Sequence, residues 1–286
     1  MKHPRPHRLL CTVLLAGLAL GLAGCVGPWN VRRHHEATSV VQFLYPEKNL
    51  PFIEPKIPTL LLPLRVGVAF LPSTSTHGRG TGGFNEQQKT DLMRRVSEQF
   101  RALPFVQKIE IIPTTYLRPG GGFDNLDQLR ALMGIDVVVL LAYDQLQTST
   151  ETEAALAYWT IVGAYIVPAQ RNATSTLMEA VVYDIPSRSL LFRAPGTSTI
   201  ENHSTLLRTG QSLQNASLRS LEEASAQMTT NLASEIEYFK IRIKEEPESV
   251  RIEHKPGYTG AGSLEGGFAA LLLAALGAHH LFRRRS

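Results

Sequence analysis

Residues 135–143 read I-D-V-V-V-L-L-A-Y, and this run gives the clearest structural pattern in the chain. Its unbroken apolar stretch at 137–142 is typical of a central strand covered on both faces. Two further apolar runs precede it, at 65–71 and 106–112, and each is followed by a proline. Because apolar residues at helical spacing separate the runs, the order predicts a β-α-β-α-β arrangement, with right-handed crossovers if the strands are parallel.

Each of the two helices predicted between these strands has its own start and stop. Asn85, with Gln88 three residues later, is typical of a capping box. Asp124 or Asn125 is expected to cap the second helix, and Gly134 to end it. The residues expected to face inward are Leu92, Val96, Phe100 and Leu103 in the first helix and Leu126, Leu129, Leu132 and Met133 in the second.

The second half of the body predicts more strands and one long helix. The expected strands cover 155–167, 175–184 and 189–199, and a hairpin turn joins the last two. Residues 213–243 predict an amphipathic helix, whose expected inward residues are Leu218, Leu221, Ala224, Met228, Leu232, Ile236 and Phe239. The fold class is therefore α/β: a β-α-β-α-β start, a β meander and a long C-terminal helix in one sandwich-like domain over 64–246.

The charge distribution argues against a nucleic-acid partner. The chain of 286 residues has 29 Lys+Arg, 25 Asp+Glu and a net charge of +4. Six basic residues lie at the two ends, at positions 2, 5, 8 and 283–285. Without them, 23 basic residues face 24 acidic ones between positions 25 and 262, a net charge of −1. The body therefore has no basic excess with which to hold a phosphate backbone.

The N-terminus has the three parts of a secretory signal peptide. Residues 1–8 are basic, residues 9–22 are mostly apolar, and Leu22-Ala23-Gly24-Cys25 follows. This tetrapeptide resembles the bacterial lipobox. The resemblance implies cleavage between Gly24 and Cys25 and attachment of several acyl chains, palmitate among them, at Cys25, which would anchor the protein in a membrane. An ordinary signal peptide with a chance cysteine is the alternative.

The residues after the lipobox bear on destination and flexibility. The residue after Cys25 is Val26 rather than an aspartate, and in this respect the chain resembles the outer-membrane class of enterobacterial lipoproteins. The resemblance implies a bacterial cell-envelope location, reached after transit through the inner membrane. Cys11 would leave with the signal, so the mature body would contain no free thiol, disulfide or cysteine metal site. Six prolines interrupt residues 26–63, and we expect residues 25–63 to be an irregular tether and lead-in.

The C-terminus carries a second sorting pattern. Residues 247–263 are expected to be a linker that ends in small residues, and 264–286 a short apolar segment followed by three arginines. This tail resembles the GlyGly-CTERM signal, which implies cleavage by a rhombosortase, a rhomboid-family intramembrane protease. The resemblance places the cut at Gly260, Gly262 or Ser263. The apolar run at 266–282 is near the lower limit for a transmembrane helix, so a permanent C-terminal anchor is the alternative.

A lipobox and such a tail on one chain resemble the rhombotarget lipoprotein family. The resemblance rests on the two ends and on the layout of the middle. It implies a processing protease as a partner and a surface or outer-membrane destination. It implies no established biochemical activity.

The body shows no catalytic, cofactor-binding or metal-binding pattern. His34 and His35 are adjacent without further ligands, which favours solvated histidines. Asp136 and Asp144 flank the predicted central strand, where aspartates are usually structural. His203 beside Ser204 lacks a Gly-x-Ser-x-Gly motif, and neighbours in a turn do not normally form a nucleophile and base. The sequence therefore predicts a protein that is not an enzyme.

The apolar, aromatic segment at 154–169 leaves two functions open. Read as a buried strand, it favours a non-enzymatic module that binds an unknown envelope protein. Read as a segment that inserts into a membrane or partner, it favours an oligomeric secretion or pore-type lipoprotein, with a layout that resembles the curli-secretion lipoprotein. The first is our leading hypothesis, because the chain combines two sorting signals with no catalytic pattern, and because a segment that alternates only weakly suits a buried strand.

Overall fold

The computed structural model describes residues 32–46, 56–73, 84–152 and 170–256. Its helices and strands, in chain order, are β1 (Arg32–Ala37), α1 (Val40–Leu44), β2 (Thr59–Leu62), β3 (Leu64–Phe70), α2 (Glu86–Arg101), β4 (Val106–Ile112), α3 (Gly122–Met133), β5 (Val137–Glu151), β6 (Gln170–Asp184), β7 (Ser189–Ser204), α4 (Thr209–Glu245) and β8 (Arg251–His254). Two short 3-10 helices, Thr114–Tyr116 and Leu206–Arg208, lie between them.

The described residues group into two compact units. The larger takes in residues 34–147, 174–200 and the described chain from 213 onward. The smaller includes 148–152, 170–173 and 201–212 and is held by polar contacts: Ser149 Oγ donates to Gln170 Oε1 at 3.0 Å, and Asn172 Nδ2 donates to Ser204 Oγ at 2.8 Å. The candidate site described below belongs entirely to the larger unit.

The main sheet has the strand order β4-β3-β5-β6-β7, and β1 also pairs with β5. β3 runs parallel to both β4 and β5, with Val66 opposite Ile109 on one side and Val137 on the other. A tight turn joins β6 to β7. The predicted α/β class is therefore confirmed, including the β-α-β-α-β start, the meander of the later strands and the long C-terminal helix.

Each face of the sheet carries its own core. Alternate residues of β5, such as Val139 and Leu141, pack under α2 and α4 on one face. Val138 and Leu140 point the other way and pack under α1 and α3. This alternation explains why residues 137–142 are all buried. The central strand inferred from sequence is confirmed.

The two crossover helices begin for different reasons. Asn85 and Gln88 form the expected capping box of α2, with reciprocal bonds of 2.8 and 2.9 Å. The prediction that Asp124 or Asn125 caps α3 is wrong, because the helix starts at Gly122 with Gly121 as its cap. Asn125 is buried instead, and its side chain holds the preceding loop by accepting from the amide of Arg118 at 2.8 Å.

Two leucines expected to face inward do not. Leu132 of α3 is 68% exposed and Leu218 of α4 is 38% exposed, whereas their neighbours Leu129 and Leu221 are buried. Both leucines fit a helical period in sequence, but each lies at the margin of its apolar face. Gly134 ends α3 in the left-handed conformation, as predicted.

The expectation of irregular flanks is wrong where the structure describes them. Within the presumed tether lie β1, α1 and β2, and Phe43, Leu44 and Leu60 are buried in the two cores. Within the presumed linker lies β8, which pairs in parallel with β2. The described prolines of the two flanks, such as Pro46, Pro58 and Pro63, fall between these elements rather than inside them, so they limit the length of each element without preventing it.

Helix α4 meets the sheet through a polar surface at one end and an apolar one at the other. Beyond Tyr143, the inward residues of β5 become Gln145 and Gln147. Ser217 Oγ donates to Gln145 Oε1 at 2.6 Å, and Gln145 Nε2 donates to Thr176 Oγ1 at 2.9 Å. Hydrogen-bonded polar side chains therefore replace the apolar ones that fill the rest of this interface.

Candidate functional site

The described residues cover only part of one face of the sheet, and the part that they leave uncovered forms the candidate site. α1 and α3 cover the face as far as Ala142 of β5. The next residues on the same face are Asp144 and Leu146, and both are exposed. On the neighbouring strand β6, Leu177 is 45% exposed. The sheet therefore presents bare side chains beside the end of α1.

A cleft of about 450 Å³ opens at this boundary. Its walls come from the end of β1, from α1 and from β5 and β6, and the lining residues are His35, Ala37, Thr38, Ser39, Val40, Val41, Gln42, Ala142, Tyr143, Asp144, Leu177 and Glu179.

Thr38 and Ser39 turn the chain from β1 into α1 and so shape the cleft. The amide of Thr38 donates to the carbonyl of Tyr143, and the Thr38 hydroxyl accepts from the amide of Tyr143, both at 2.8 Å. Ser39 caps α1 by accepting from the amide of Gln42 at 3.2 Å. Both hydroxyls in the cleft are therefore engaged by the main chain.

Successive residues of β1 contact successive residues of β5. His35 Nε2 lies 2.7 Å from Oδ1 of Asp144, and both side chains are at least half exposed. On the opposite face, the Tyr143 hydroxyl donates to Glu36 Oε1 at 2.5 Å. Burial, followed by the bond to Glu36 and its charge, raises the pKa of Tyr143 far above its usual range. The phenol therefore stays protonated and holds β1 to β5 at neutral pH.

The cleft combines acidic groups with exposed apolar ones. Asp144 and Glu179 contribute carboxylates, and the lining contains neither lysine nor arginine. Glu179 also forms an ion pair with Arg193, in which Arg193 Nη1 lies 3.3 Å from Glu179 Oε1. Val41, from α1, is 67% exposed and faces solvent together with Leu177. Such a surface can hold an apolar side chain next to a cation.

Asp136 lies outside this cleft and has a structural environment. Its carboxylate accepts two bonds from Arg65, at 2.9 and 3.0 Å, and lies 3.3 Å from Lys255 Nζ. Burial would raise the pKa of Asp136, but the bonds and charges of Arg65 and Lys255 outweigh it and hold that pKa below its usual value. The three side chains join β3, the residue before β5 and the residue after β8.

His203 and Ser204 do not form a catalytic pair. Because consecutive residues of a strand point to opposite faces, His203 is exposed whereas Ser204 is buried. The Ser204 hydroxyl contacts Asn172 and lies 3.0 Å from Thr209 Oγ1. Their placement on β7 also differs from the turn expected from sequence.

The sequence reasoning missed Val41, Leu177 and Glu179 as site residues. The end of the apolar run before Asp144 could have indicated that β5 is no longer covered on both faces, but Leu146 is exposed while Gln145 and Gln147 are buried, the reverse of what their polarity predicts. Nothing in the sequence indicated that β1 would place His35 against Asp144, since the strand itself was not predicted.

Several sequence-predicted positions lie outside the described residues. These are Gly24 and Cys25, the C-terminal positions Gly260, Gly262 and Ser263, and the segment 154–169 with its expected strand. Within residues 32–46, 56–73, 84–152 and 170–256, no helix is both long and apolar enough to span a membrane. In the same part of the chain, no three His, Cys, Asp or Glu side chains group as a metal site.

No protein-family model matches the chain, and no curated protein matches it in sequence. Among solved structures, it is similar to a PelC dodecamer from Paraburkholderia phytofirmans, with 10% identity, 72% of this chain and 96% of that chain covered, and a TM-score of 0.28. It is also similar to the hypothetical protein CT253 from Chlamydia trachomatis, with 11% identity, 60% and 99% covered, and a TM-score of 0.25. TM-scores this low do not establish a shared fold, and neither likeness bears on function.

Proposed function

We propose that the chain is an exported cell-envelope lipoprotein of the rhombotarget type, and that its α/β body is a non-enzymatic module that binds a protein partner through the cleft. In this proposal Cys25 carries the acyl chains, a rhombosortase-type protease cuts within residues 260–263, and the outer membrane is the destination. The observation that carries the binding role is the cleft with exposed Val41 and Leu177 beside the His35–Asp144 pair.

The chemistry of the cleft favours binding over catalysis. A nucleophilic hydroxyl would need a hydrogen bond to its base, whereas His35 Nε2 contacts Asp144 and the Thr38 and Ser39 hydroxyls contact main-chain amides. The exposed apolar side chains favour contact with a partner. The fitting occupant is a polypeptide segment with an apolar side chain beside a lysine or arginine, because Asp144 and Glu179 are carboxylates and the lining contains neither lysine nor arginine.

Peptide binding tests this role. A labelled peptide in which lysine alternates with leucine is titrated with the full chain in detergent, and a matched peptide carries glutamate in place of lysine. We expect only the lysine peptide to bind, and we expect its affinity to fall as the salt concentration rises. Equal binding of the two peptides, or binding unaffected by substitutions in the cleft, would refute the assignment.

Metabolic labelling with a lipid precursor tests the anchor. Cys25→Ala is expected to abolish incorporation, because it removes the thiol that accepts the diacylglyceryl group. Cys11→Ala is the matched control, since this cysteine lies within the signal segment and is expected to leave labelling unchanged. Label retained by the Cys25→Ala protein would show that the lipobox assignment is wrong.

Intact mass tests the C-terminal processing. Protein from cells with the intramembrane protease is expected to lack the residues after the cut within 260–263. Protein from cells without the protease is expected to keep them. Identical masses would show that the tail is a permanent anchor.

A further inference from the structure

The two edge strands of the main sheet, β7 and β4, differ in whether side chains bond to their outward main-chain groups. On β7, side chains of α4 occupy the outward main-chain groups: Gln227 Oε1 accepts from the amide of Thr197 at 2.6 Å, and Asn231 Nδ2 donates to the carbonyl of Pro195 at 2.7 Å. Arg242 likewise donates to the carbonyl of Leu191. This edge is closed to another strand, as is common in proteins that avoid edge-to-edge association.

The opposite edge, β4, has no such cover among the described residues, where β4 pairs with β3 alone. The carbonyl of Arg65 bonds to the amide of Asp136 beside β5, so the main-chain groups of Val66 face β4. Val66 is in register with Ile109. In a parallel ladder the main-chain groups of Val66 bond to the residues on either side of Ile109, which are Lys108 and Glu110. The N–H and C=O of Ile109 therefore point away from β3.

The side chains along this edge are self-complementary. β4 reads V-Q-K-I-E-I-I, with Lys108 and Glu110 placed symmetrically about Ile109. In an antiparallel pairing of two such strands centred on Ile109, Lys108 of each copy lies opposite Glu110 of the other. Lys108 is 53% and Glu110 33% exposed, and within one chain they already form an ion pair. Opposite charges at cross-strand positions stabilise such a pairing, whereas like charges destabilise it.

We propose that two copies of this chain associate through β4, as a two-fold, antiparallel strand pair that continues the sheet from one copy into the other. The hydrogen bonds come from Ile109, and the register comes from two equivalent Lys108–Glu110 ion pairs. A lysine on a sheet edge ordinarily blocks pairing. Here it meets a carboxylate of the second copy, so it selects a copy of the same chain over other strands. The proposal does not depend on the cleft or on lipidation.

A charge-swap series with the full chain in detergent tests the proposal by sedimentation velocity. Wild type is expected to show a concentration-dependent monomer–dimer equilibrium. Lys108→Glu and Glu110→Lys are each expected to weaken dimerisation by about tenfold or more, because each places like charges opposite each other. The double variant Lys108→Glu with Glu110→Lys is expected to restore it. A mixture of the two single variants should form a heterodimer, since both cross-strand contacts then join a glutamate to a lysine.

The matched control reverses another exposed ion pair, Arg219 with Glu223 on α4, where Glu223 also accepts from Ser198 of β7, at the opposite edge of the sheet. These reversals are expected to leave dimerisation unchanged. Circular dichroism establishes that each variant is folded, and amide hydrogen exchange of Ile109 is expected to slow as protein concentration rises. A monomeric wild type, or a folded double variant that dimerises no better than the single ones, would overturn the proposal.

Discussion

His35 Nε2 lies 2.7 Å from Asp144 Oδ1, although the two residues are 109 positions apart in the chain. The contact joins β1 to β5 at the point where the covered part of the sheet ends. It also holds the Asp144 carboxylate at the rim of the cleft, beside exposed Leu177. A histidine from the N-terminal flank thus helps to define the candidate binding site.

Substitutions in the cleft should separate the contribution of its charge to peptide binding from the contribution of its apolar surface. Asp144→Asn is expected to weaken binding of the lysine peptide by about threefold to fivefold, a modest loss because the carboxylate is half exposed. Leu177→Ser should weaken binding of the same peptide by removing apolar contact. Fluorescence anisotropy measures both effects. Asp91→Asn and Leu132→Ser, exposed residues outside the lining, serve as controls, and equal losses in the controls would contradict the site.

Gly196 of β7 is expected to be intolerant of any side chain. A Cβ at this position would lie 2.2 Å from the carbonyl oxygen of Ala224 and 2.4 Å from the amide nitrogen of Met228, both main-chain atoms of α4. Gly196→Ala should lower the free energy of unfolding by about 3 kcal/mol, because the helix must move off the sheet. Urea denaturation measures the loss.

Gly210→Ala is the control for that experiment, because a Cβ there would meet no atom within 4 Å. It should leave stability unchanged or raise it by about 0.5 kcal/mol, since alanine restricts the unfolded chain. Similar losses in the two alanine variants would show that the close approach of α4 to β7 is not a constraint.

The buried polar contact between α4 and β5 should be sensitive to loss of one hydroxyl. Ser217→Ala leaves the buried Oε1 of Gln145 without its 2.6 Å donor and is expected to cost about 1–3 kcal/mol. Ser234→Ala, on the exposed face of the same helix, should cost nearly nothing. Chemical denaturation of both variants tests this. A Ser217→Ala protein as stable as wild type would mean that Gln145 finds another partner.

The Asp136 cluster should stabilise the fold only while its carboxylate is ionised. The folded pKa lies below the ordinary value of 3.8, so the contribution is present above that value and is lost as pH falls through the folded pKa. Unfolding free energies measured between neutral pH and strong acid should therefore fall on the acid side. Asp136→Asn is expected to be less stable at neutral pH by about 2 kcal/mol and to show a shallower acid loss. An unchanged acid slope would exclude Asp136 as its source.

Local chemistry was enough to predict much of the fold. The apolar run at 137–142 predicted the central strand, since a short run that is apolar at every position is typical of a strand covered on both faces. The Asn85–Gln88 capping box and the end of α3 at Gly134 could also be predicted, because each depends on residues close in sequence. The cap of α3 was missed because Asn125 is bound by a loop contact with Arg118 instead.

The candidate site could not be predicted in the same way. His35 looked solvated and Asp144 structural when each was considered alone. Val41 and Leu177 are ordinary apolar residues, and their exposure depends on how much of the sheet α1 covers. The short elements β1, α1 and β2 owe their structure to packing rather than to their own sequences, because such short segments are not stable in isolation.

The sequence by itself determined the α/β class, the order of the long elements and the patterns at the two ends that predict export, lipidation and processing. It could do so because periodicity, caps and short motifs act over neighbouring residues. Only the tertiary structure decided that β1 brings His35 to Asp144, that β8 returns to pair with β2, and that α4 closes one sheet edge while β4 stays uncovered among the described strands. These relationships join residues far apart in the chain, and a contact of that kind exists only once packing has fixed both partners in place.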